Sequence, residues 1–502
     1  MTVPWLDPLY AAAEMRAVDA WAIEERQVPS LDLMERAGEG LARVTAAIAR
    51  AGPIRVVVGK GNNGGDGLVV ARLLRQDGHE VDVLAAADLD GLKGDALVNL
   101  QRLPRRAPEP FAADRLEGSG AVVDALLGTG FAGAPREPLA SAIAAINSQD
   151  APVIACDVPS GVDASTGEIE TEAVRATVTP TFHAPKLGLY VNPGKAHAGR
   201  VEVVAIGVPR GAPGARDGLI SERVLDLYPR RTPSGSKFTS GVLVVVGGSR
   251  GLTGAPTMTA RSAQRAGAGY VQVAVPESAQ PALDMRLLEQ MSRGLPEHEG
   301  SHTPAGIEVV EQMSERAGAV ALGPGLGRDP GAQEFARGVA GAVETPLLVD
   351  ADGLNAHAGQ LELLRERTAP TVLTPHEGEL GRLLERPSDE IARHRLASVH
   401  EAAERSGAVV LLKGDDTIVA RPGGEVAVNP GGTPALATAG TGDVLSGLIG
   451  ALLAKGLDPF AAASLGALAH VLAARAAAGR FGADHVMAGD VIDALPHGLT
   501  LR

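Results

Sequence analysis

Cysteine is all but missing from this 502-residue chain: Cys156 is the only one. No intrachain disulfide can form, so packing and hydrogen bonds must hold the fold, and a reducing compartment, the cytoplasm, is the expected location. Aromatics are only 3 % of residues, so Val, Leu, Ala and Ile must build the core. Positive charge is also short. The formal net charge is −14, and seven lysines stand among many arginines. That balance excludes non-specific binding to nucleic acid or to anionic membranes. No uninterrupted apolar run reaches bilayer length. The opening Met-Thr-Val-Pro-Trp-Leu-Asp has neither the basic nor the apolar region of a secretion signal. Neither nucleic acid nor membrane is therefore expected as a partner. What the chain does have is a 45 % apolar and 21 % charged composition, with 63 Gly and 34 Pro spread along it. These values are those of a soluble globular protein rich in tight turns. The length allows two or more domains.

The repeating pattern is a short β-branched run, a glycine turn, then an Ala-rich amphipathic stretch. Strands are predicted at Ile54–Val58, Val81–Leu84, Ala121–Leu126, Val153–Asp157 and Val201–Ile206. A second series covers Val242–Val246, Tyr270–Val275, Ala319–Leu322, Leu347–Asp350, Thr371–Thr374 and Val409–Leu412. Strands alternating with helices predict an α/β fold with parallel sheets and functional loops at the strands' carboxyl ends. The series breaks between about Gly207 and Gly241, where prolines and Arg230-Arg231 cluster and Leu219–Leu227 has a short helical pattern. This divides the chain into domains at 1–215 and 237–502, joined by a linker at 216–236. Glycine motifs do not recur at matching spacing, so the halves are not duplicates.

The stretch Ala437-Thr438-Ala439-Gly440-Thr441-Gly442-Asp443, followed by an apolar helix at Val444–Leu453, carries the most chemistry. A helix start offers unpaired N–H groups and a positive dipole end to phosphate, and glycines at 440, 442 and 447 let the backbone come close. A carboxylate there repels phosphate unless Asp443 removes a proton from an attacking hydroxyl. Alternatively, Asp443 only stabilises the helix dipole; this segment alone does not choose between the two. In the first half, Gly59 to Gly67 holds Asn62, Asn63, Gly64, Gly65 and Asp66 between a strand and a helix. It lacks the Gly-Lys-Ser/Thr ending of a triphosphatase loop and the spaced dinucleotide fingerprint. Its oxygens suit a polar ligand or a hard cation, and the same residues also make an ordinary turn. Two further strands end in carboxylates, Asp124 before Gly128-Thr129-Gly130 and Asp157 before Pro159-Ser160-Gly161. A buried carboxylate needs a partner, and three polar strand ends in one sheet favour a shared site. Cys156, lacking a His nearby in sequence, reads as a small core residue.

In the second half, Gly247-Gly248-Ser249, Gly254-Ala255, Gly323 to Gly327, Asp350-Ala351-Asp352, Thr374 to Glu379 and Lys413 to Thr417 follow in order. Each alone is an ordinary loop, cap or edge charge. Lys413 stands out because lysine is scarce and its place is the end of an apolar strand, where an ammonium can meet phosphate.

Gly-Asn-Asn-Gly-Gly-Asp-Gly, Val-Asp-Ala-Leu-Leu-Gly-Thr-Gly and Asp-Val-Pro-Ser-Gly, with Thr181-Phe182 and Pro185-Lys186-Leu-Gly-Leu, closely resemble the NAD(P)H-hydrate epimerase family over roughly 10–215. The ordered motifs of the second half resemble the ADP/ATP-dependent NAD(P)H-hydrate dehydratases, a ribokinase-like branch, over about 230–500. The resemblance implies a Rossmann-like α/β domain followed by a ribokinase-like α/β domain. It places the epimerase substrate on Asn62, Asn63, Gly64, Gly65 and Asp66, on Gly128, Thr129, Gly130, Phe131, Ala132, Gly133 and Ala134, and on Asp157, the candidate acid/base. It places potassium on Asn63, Asp124 and Ser160. The hydrate of the dehydratase falls on Ala255, Gly325, Thr374, Pro375, His376, Glu377, Gly378, Glu379, Leu380 and Asp443. The nucleotide falls on Lys413, Gly414, Asp415, Asp416 and Thr417, and on Thr433, Pro434, Ala435, Leu436, Ala437, Thr438, Ala439, Gly440, Thr441 and Gly442.

The joint expectation is repair of hydrated NADH and NADPH. The R and S hydrates interconvert in the first domain, and the S form is dehydrated in the second at the expense of ADP or ATP with magnesium. Asp443 is the expected base, and a homo-oligomer is expected. Two rival readings rest on the same residues. A small-molecule kinase would use the same Asp443, and the Thr374–Glu379 segment favours the dehydratase over it. A nucleotide sensor without turnover is disfavoured by the intact set Asn63, Asp124, Asp157, Lys413 and Asp443.

Overall fold

The computed structural model describes residues 3–104 and 106–500. It separates into two compact units, Pro8–Gly218 on one hand and Val3–Asp7 with the chain from Leu219 onward on the other.

The first unit is built on seven strands in the order Glu109–Pro110, Val81–Ala85, Ile54–Val58, Ala121–Ala125, Val153–Ala155, Val178–Phe182, Arg200–Val204. All neighbouring pairs are parallel. Helices cover both faces, so the central strands are mostly apolar, with Val56, Val57 and Val58 fully buried and Asp124 the charged exception in Ala121–Ala125. From Ile54–Val58 the chain works outward to one edge, then returns to lay Ala121–Ala125 on the other side. Such a reversal opens a crevice at the strands' carboxyl ends. Helix Asn62–Gln76 lies against helix Ser30–Ile48 so closely that a Cβ on Gly38 would be 2.2 Å from Val69 Cγ1.

Two expectations change here. The glycine segment predicted as a loop is already helical from Asn62. Helix propensity argues against this, but side chains at these places would collide: a Cβ on Gly64 would meet the Gly59 carbonyl oxygen at 2.1 Å, and one on Gly67 the Ala125 Cβ at 2.7 Å. The strand predicted to reach Asp157 stops at Ala155, because Asp157 turns with φ 68°. Strand Val178–Phe182 was not anticipated, since Thr179, Pro180 and Thr181 dilute its apolar pattern.

The second unit is built on an eleven-stranded sheet, whose strands Leu6–Leu9 and Asp217–Ile220 lie where the chain passes between the two units. The strand order is Leu6–Leu9, Asp217–Ile220, Val426–Val428, Ile418–Ala420, Val409–Leu412, Thr371–Leu373, Leu347–Val349, Ala319–Leu322, Val242–Val246, Tyr270–Pro276, Met291–Leu295. The seven from Val409–Leu412 to Met291–Leu295 are parallel, as expected. Ile418–Ala420 and Val426–Val428 instead pair antiparallel. Their connections are too short for the crossover that parallel pairing needs. Chain order reverses between Val242–Val246 and Ala319–Leu322. The segment 216–236, expected as a linker with one small helix, carries strand Asp217–Ile220 and the 3₁₀ turn Glu222–Leu227. Val224 and Leu225 are buried in this unit's core, alongside Trp5, whose ring packs 5.6 Å from that of Phe460. Helix Pro459–Phe481 reaches bilayer length at a mean hydropathy of 1.4 over its best window, although His470 and Arg475 interrupt it; most of that window is buried within the protein.

Candidate active sites

At the first unit's reversal point, strand pairing sets Val58 between Ala85 and Ala125. The loops leaving Ile54–Val58 and Ala121–Ala125 therefore meet. Asn63, in the helix's first turn, donates from Nδ2 to the Leu127 carbonyl at 2.9 Å, and a Cβ on Gly128 would lie 3.2 Å from the Asn63 side chain. Leu127 N–H donates to Ser160 Oγ at 2.9 Å. Ser160 in turn donates to Asp124 from Oγ (2.6 Å) and from its backbone N (2.8 Å). Asn63, Asp124 and Ser160, predicted from three separate segments, thus surround one short stretch of backbone. Asp124 is fully buried and, among the described residues, has no cationic partner. Burial raises its carboxyl to about 6, against the lowering effect of the Ser160 and Leu126 hydrogen bonds.

Asp157 occupies the next strand end. Its left-handed backbone is costly for a non-glycine residue and is held by its surroundings. Asp157 Oδ1 accepts from Lys186 Nζ (2.5 Å), Thr181 Oγ1 (3.0 Å) and Phe182 N (2.9 Å). Lys186 is itself 1 % exposed. Sequence reasoning gave this lysine no role, although the scarcity of lysine was a signal it had already used for Lys413. Burial, followed by the charges of Asp157 and Asp19, pushes Asp66 well above the usual carboxylate range. Burial also raises Asp19, a residue not singled out beforehand. The site therefore pairs an ion-paired carboxylate, Asp157, with a carboxyl whose proton affinity burial raises, Asp66. Cys156 is buried and its thiol is pushed up by burial and by Asp66, which supports a core role. Gly128 to Ala134 form the irregular, partly exposed segment after Ala121–Ala125.

In the second unit the loops at the reversal point lock together. Gly248 N donates to the Pro324 carbonyl (2.9 Å) and Ser249 Oγ to the Gly325 carbonyl (3.1 Å). Gly325 has φ 67°, and a Cβ there would lie 2.6 Å from the Leu252 carbonyl and 3.1 Å from Ala255. Gly325 and Ala255, both predicted, are therefore neighbours. Thr374 follows strand Thr371–Leu373 and leads to His376, which caps helix Glu377–Leu384. The His376 Nδ1 accepts from Gly378 N (3.0 Å) and Glu379 N (3.4 Å), while Glu379 Oε2 accepts from His376 N (3.0 Å). A capping acceptor must be unprotonated, in keeping with the lowered affinity that burial gives this imidazole.

Helix Thr441–Ala454 begins three residues before the predicted start, after Gly440 in the left-handed region at φ 92°. Asp443 lies in its first turn. Burial, then the charge of Asp350, raises it to about 7, against the lowering influence of Lys413. Lys413 Nζ sits 2.9 Å from Asp350 and 3.5 Å from Glu379, and a Cβ on Gly442 would lie 3.8 Å from it. Asp350 also accepts from Ser446 Oγ at 2.6 Å; burial works to raise its carboxyl, and the charge of Lys413 together with these hydrogen bonds outweighs it and holds the carboxyl lowered. Asp350 was visible as a motif without a role, and Ser446 went unnoticed. Lys413 N donates to the Pro375 carbonyl, joining the Thr374–Leu380 and Lys413–Thr417 segments. Asp416 faces inward to Arg395 at 3.0 Å, Asp415 accepts from Gly432 N, and Thr433 caps the turn Pro434–Leu436. Ala437, Thr438 and Ala439 are exposed. Gly447 does not serve an anion: a Cβ there would meet the Thr259 carbonyl at 2.1 Å, so it permits helix Thr441–Ala454 to pack on helix Gly254–Arg265.

Residues 243–497 match the NAD(P)H-hydrate dehydratase family, and residues 30–188 match the YjeF-related protein N-terminus. The bifunctional NAD(P)H-hydrate repair enzyme Nnr of Salinibacter ruber is 42 % identical, covering 97 % of this chain and 95 % of its own. That of Moorella thermoacetica is 41 % identical over 98 % and 96 %. A crystal structure of the ADP/ATP-dependent NAD(P)H-hydrate dehydratase of Bacillus subtilis, co-crystallised with ATP and Mg²⁺, is 28 % identical. It covers 55 % of this chain and 95 % of its own, with a TM-score of 0.47. With relatives this similar along nearly their whole length, the chain belongs to the family of bifunctional NAD(P)H-hydrate repair enzymes.

Proposed function

We propose that the first unit interconverts the R and S hydrates of NADH and NADPH at Asp157, and that the second dehydrates the S hydrate at Asp443 with ADP or ATP. The observation that carries this reading is Asp443 itself: a carboxylate in the first turn of a glycine-led helix start, beside Asp350 and Lys413, raised to about 7. A base with that affinity is half ionised at neutral pH, where general bases work best.

In the second unit, Asp443 takes the proton of the hydrate hydroxyl. The hydroxyl oxygen then bonds to the terminal phosphorus, and the bond to the nucleotide's bridging oxygen breaks, leaving AMP from ADP or ADP from ATP. N–H groups at Gly440 to Asp443 face the charge that develops on the phosphoryl oxygens. Phosphate then leaves with the C–O bond electrons, a neighbouring ring carbon gives up a proton, and the dihydropyridine is restored. Magnesium would enter with the nucleotide and would offset the charge of its phosphates. Ala255, Gly325 and the Thr374–Leu380 segment shape the hydrate side, with His376 holding the loop by its cap. Lys413 to Thr417 and Thr433 to Gly442 shape the nucleotide side.

In the first unit, Asp157 acts on the hydrate from the Lys186 side, and Asp66, whose proton affinity burial raises, is the candidate opposing acid. Potassium fits Asn63, Asp124 and Ser160: the set is hard oxygen with one negative charge, and buried Asp124 lacks any other cation among the described residues. The ion would balance that charge and brace the Leu127 backbone beneath the substrate loop. The reading places the chain in the cytoplasm, where reduced nicotinamide cofactors and ATP are both available. The test is to incubate the full chain with mixed hydrates and each nucleotide and to follow recovery of reduced-cofactor absorbance. No recovery with either nucleotide refutes it.

A further inference from the structure

A cavity of about 950 Å³ lies at the carboxyl ends of Val81–Ala85 and Glu109–Pro110, and none of the predicted site residues lines it. Ala85 to Ala87, Leu100, Leu103, Phe111 and Pro138 line it. Ala85 is paired with Val58, and Ala86 N donates to the Val58 carbonyl, so the lining runs directly into the Gly59 loop. Pro138 follows the Gly128–Ala134 segment in sequence. The cavity and the Asp157 centre thus lie on opposite sides of the same glycine loop. From Ala85 to Ala155 is three strand spacings, about 14 Å at ~4.8 Å each. A molecule touching both must be long, with a polar middle on the helix start and an apolar planar end in the cavity.

Resting on the epimerase reading, we infer that this cavity is the subsite for the adenosine half of the substrate, and that it favours NADH hydrate over NADPH hydrate. A lining of aliphatic side chains with Phe111 suits a purine ring, and the volume is that of a ligand pocket. The rim decides between the cofactors. It carries Asp88 and Asp90, and no cationic side chain among the described lining residues. Asp88 Oδ1 accepts from Asp90 N at 2.9 Å, which fixes the turn and leaves both carboxylates exposed. A carboxylate at the end of the strand next to the glycine loop accepts a hydrogen bond from a ribose 2′-hydroxyl and repels a 2′-phosphate.

The experiment uses the full chain without ADP or ATP, so that dehydration is idle, and follows R-to-S conversion by chromatography. The substrates are the hydrates of NADH, NADPH and reduced nicotinamide mononucleotide, which lacks the adenosine half. The parent is expected to convert NADH hydrate with a kcat/KM at least roughly tenfold above the mononucleotide hydrate, because remote binding energy is lost with the adenosine. Ala107→Trp, an exposed lining position, is expected to erase that advantage and leave the mononucleotide rate unchanged. Asp88→Asn combined with Asp90→Asn is expected to raise NADPH hydrate relative to NADH hydrate by roughly tenfold, about 1.4 kcal/mol. A parent active on all three with equal kcat/KM overturns the subsite alone, as does Ala107→Trp slowing mononucleotide and dinucleotide equally. An unchanged NADPH-to-NADH ratio in the double variant overturns the specificity. A parent inactive on all three overturns the epimerase reading and the subsite with it.

Discussion

Replacing Asp443 with asparagine should make the second unit inactive and more stable at once. The carboxyl is raised from 3.8 to about 7, first by burial and then by the charge of Asp350. About three pH units at ~1.4 kcal/mol each is on the order of 4 kcal/mol, and partial solvent access trims this to about 2–3 kcal/mol. The sign follows from proton binding. The folded carboxyl holds its proton more tightly than the unfolded chain does. Below a pH of about 4 both states are protonated, and the residue costs nothing. Between about 4 and 7 only the unfolded chain ionises, so stability falls as pH rises; above about 7 the whole penalty stands. The asparagine variant, with no proton to lose, escapes it. Thermal unfolding of the full chain at a pH of about 8 should therefore show the second unit's transition roughly 5–10 °C higher in Asp443→Asn, with the gap closing toward a pH of about 4. Dehydration should fall by roughly 10²–10⁴, the usual cost of losing a general base, while nucleotide still binds in equilibrium dialysis. An Asp443→Asn protein that melts no higher at alkaline pH, or whose advantage does not shrink on acidification, refutes the strained-carboxylate argument. Near-normal turnover refutes the base.

Three further outcomes are expected. The kcat/KM for dehydration should rise with pH through an apparent value near 7, and Lys413→Met should move that value upward, since Lys413 lowers Asp443; a pH-rate profile showing no shift would separate Lys413 from Asp443. Asp157→Ala should abolish R-to-S conversion and leave dehydration of pure S hydrate untouched, and equal loss on both substrates would count against separable sites. Epimerisation measured at constant ionic strength should be faster in potassium than in sodium or a bulky organic cation, and Asp124→Asn should remove the difference; three equal rates with a silent Asp124→Asn would eliminate the ion.

What could be seen in the chain beforehand follows from how each feature is encoded. Val242–Val246 was legible because a strand covered on both faces is apolar at every position, and Ile54–Val58 because Arg55 alone interrupts its β-branched run. Val178–Phe182 was not, because its Thr181 faces Asp157 and its Pro180 carbonyl accepts from Asp157 N; the residues that make it useful are those that hide it. The helical start at Asn62 was read as a loop for a related reason: its glycines are chosen for what would collide with a side chain, and propensity counts only the local cost. The same split applies to the sites. Asp124, Asp157 and Asp443 were visible as carboxylates where an apolar or glycine-rich context makes charge expensive. Lys186, Asp19, Asp350 and Ser446 become meaningful only through partners far away in the sequence. Lys186 lies 29 residues from Asp157, and Ser446 lies 96 from Asp350. Local pattern carries the expense of a charge, and tertiary structure alone supplies what compensates it. In both units the compensating group is a buried or half-buried lysine from a chain that has only seven. Scarcity of a residue type, weighed against the apolar context in which it appears, is therefore the one local signal by which Lys186 could have been found as Lys413 was.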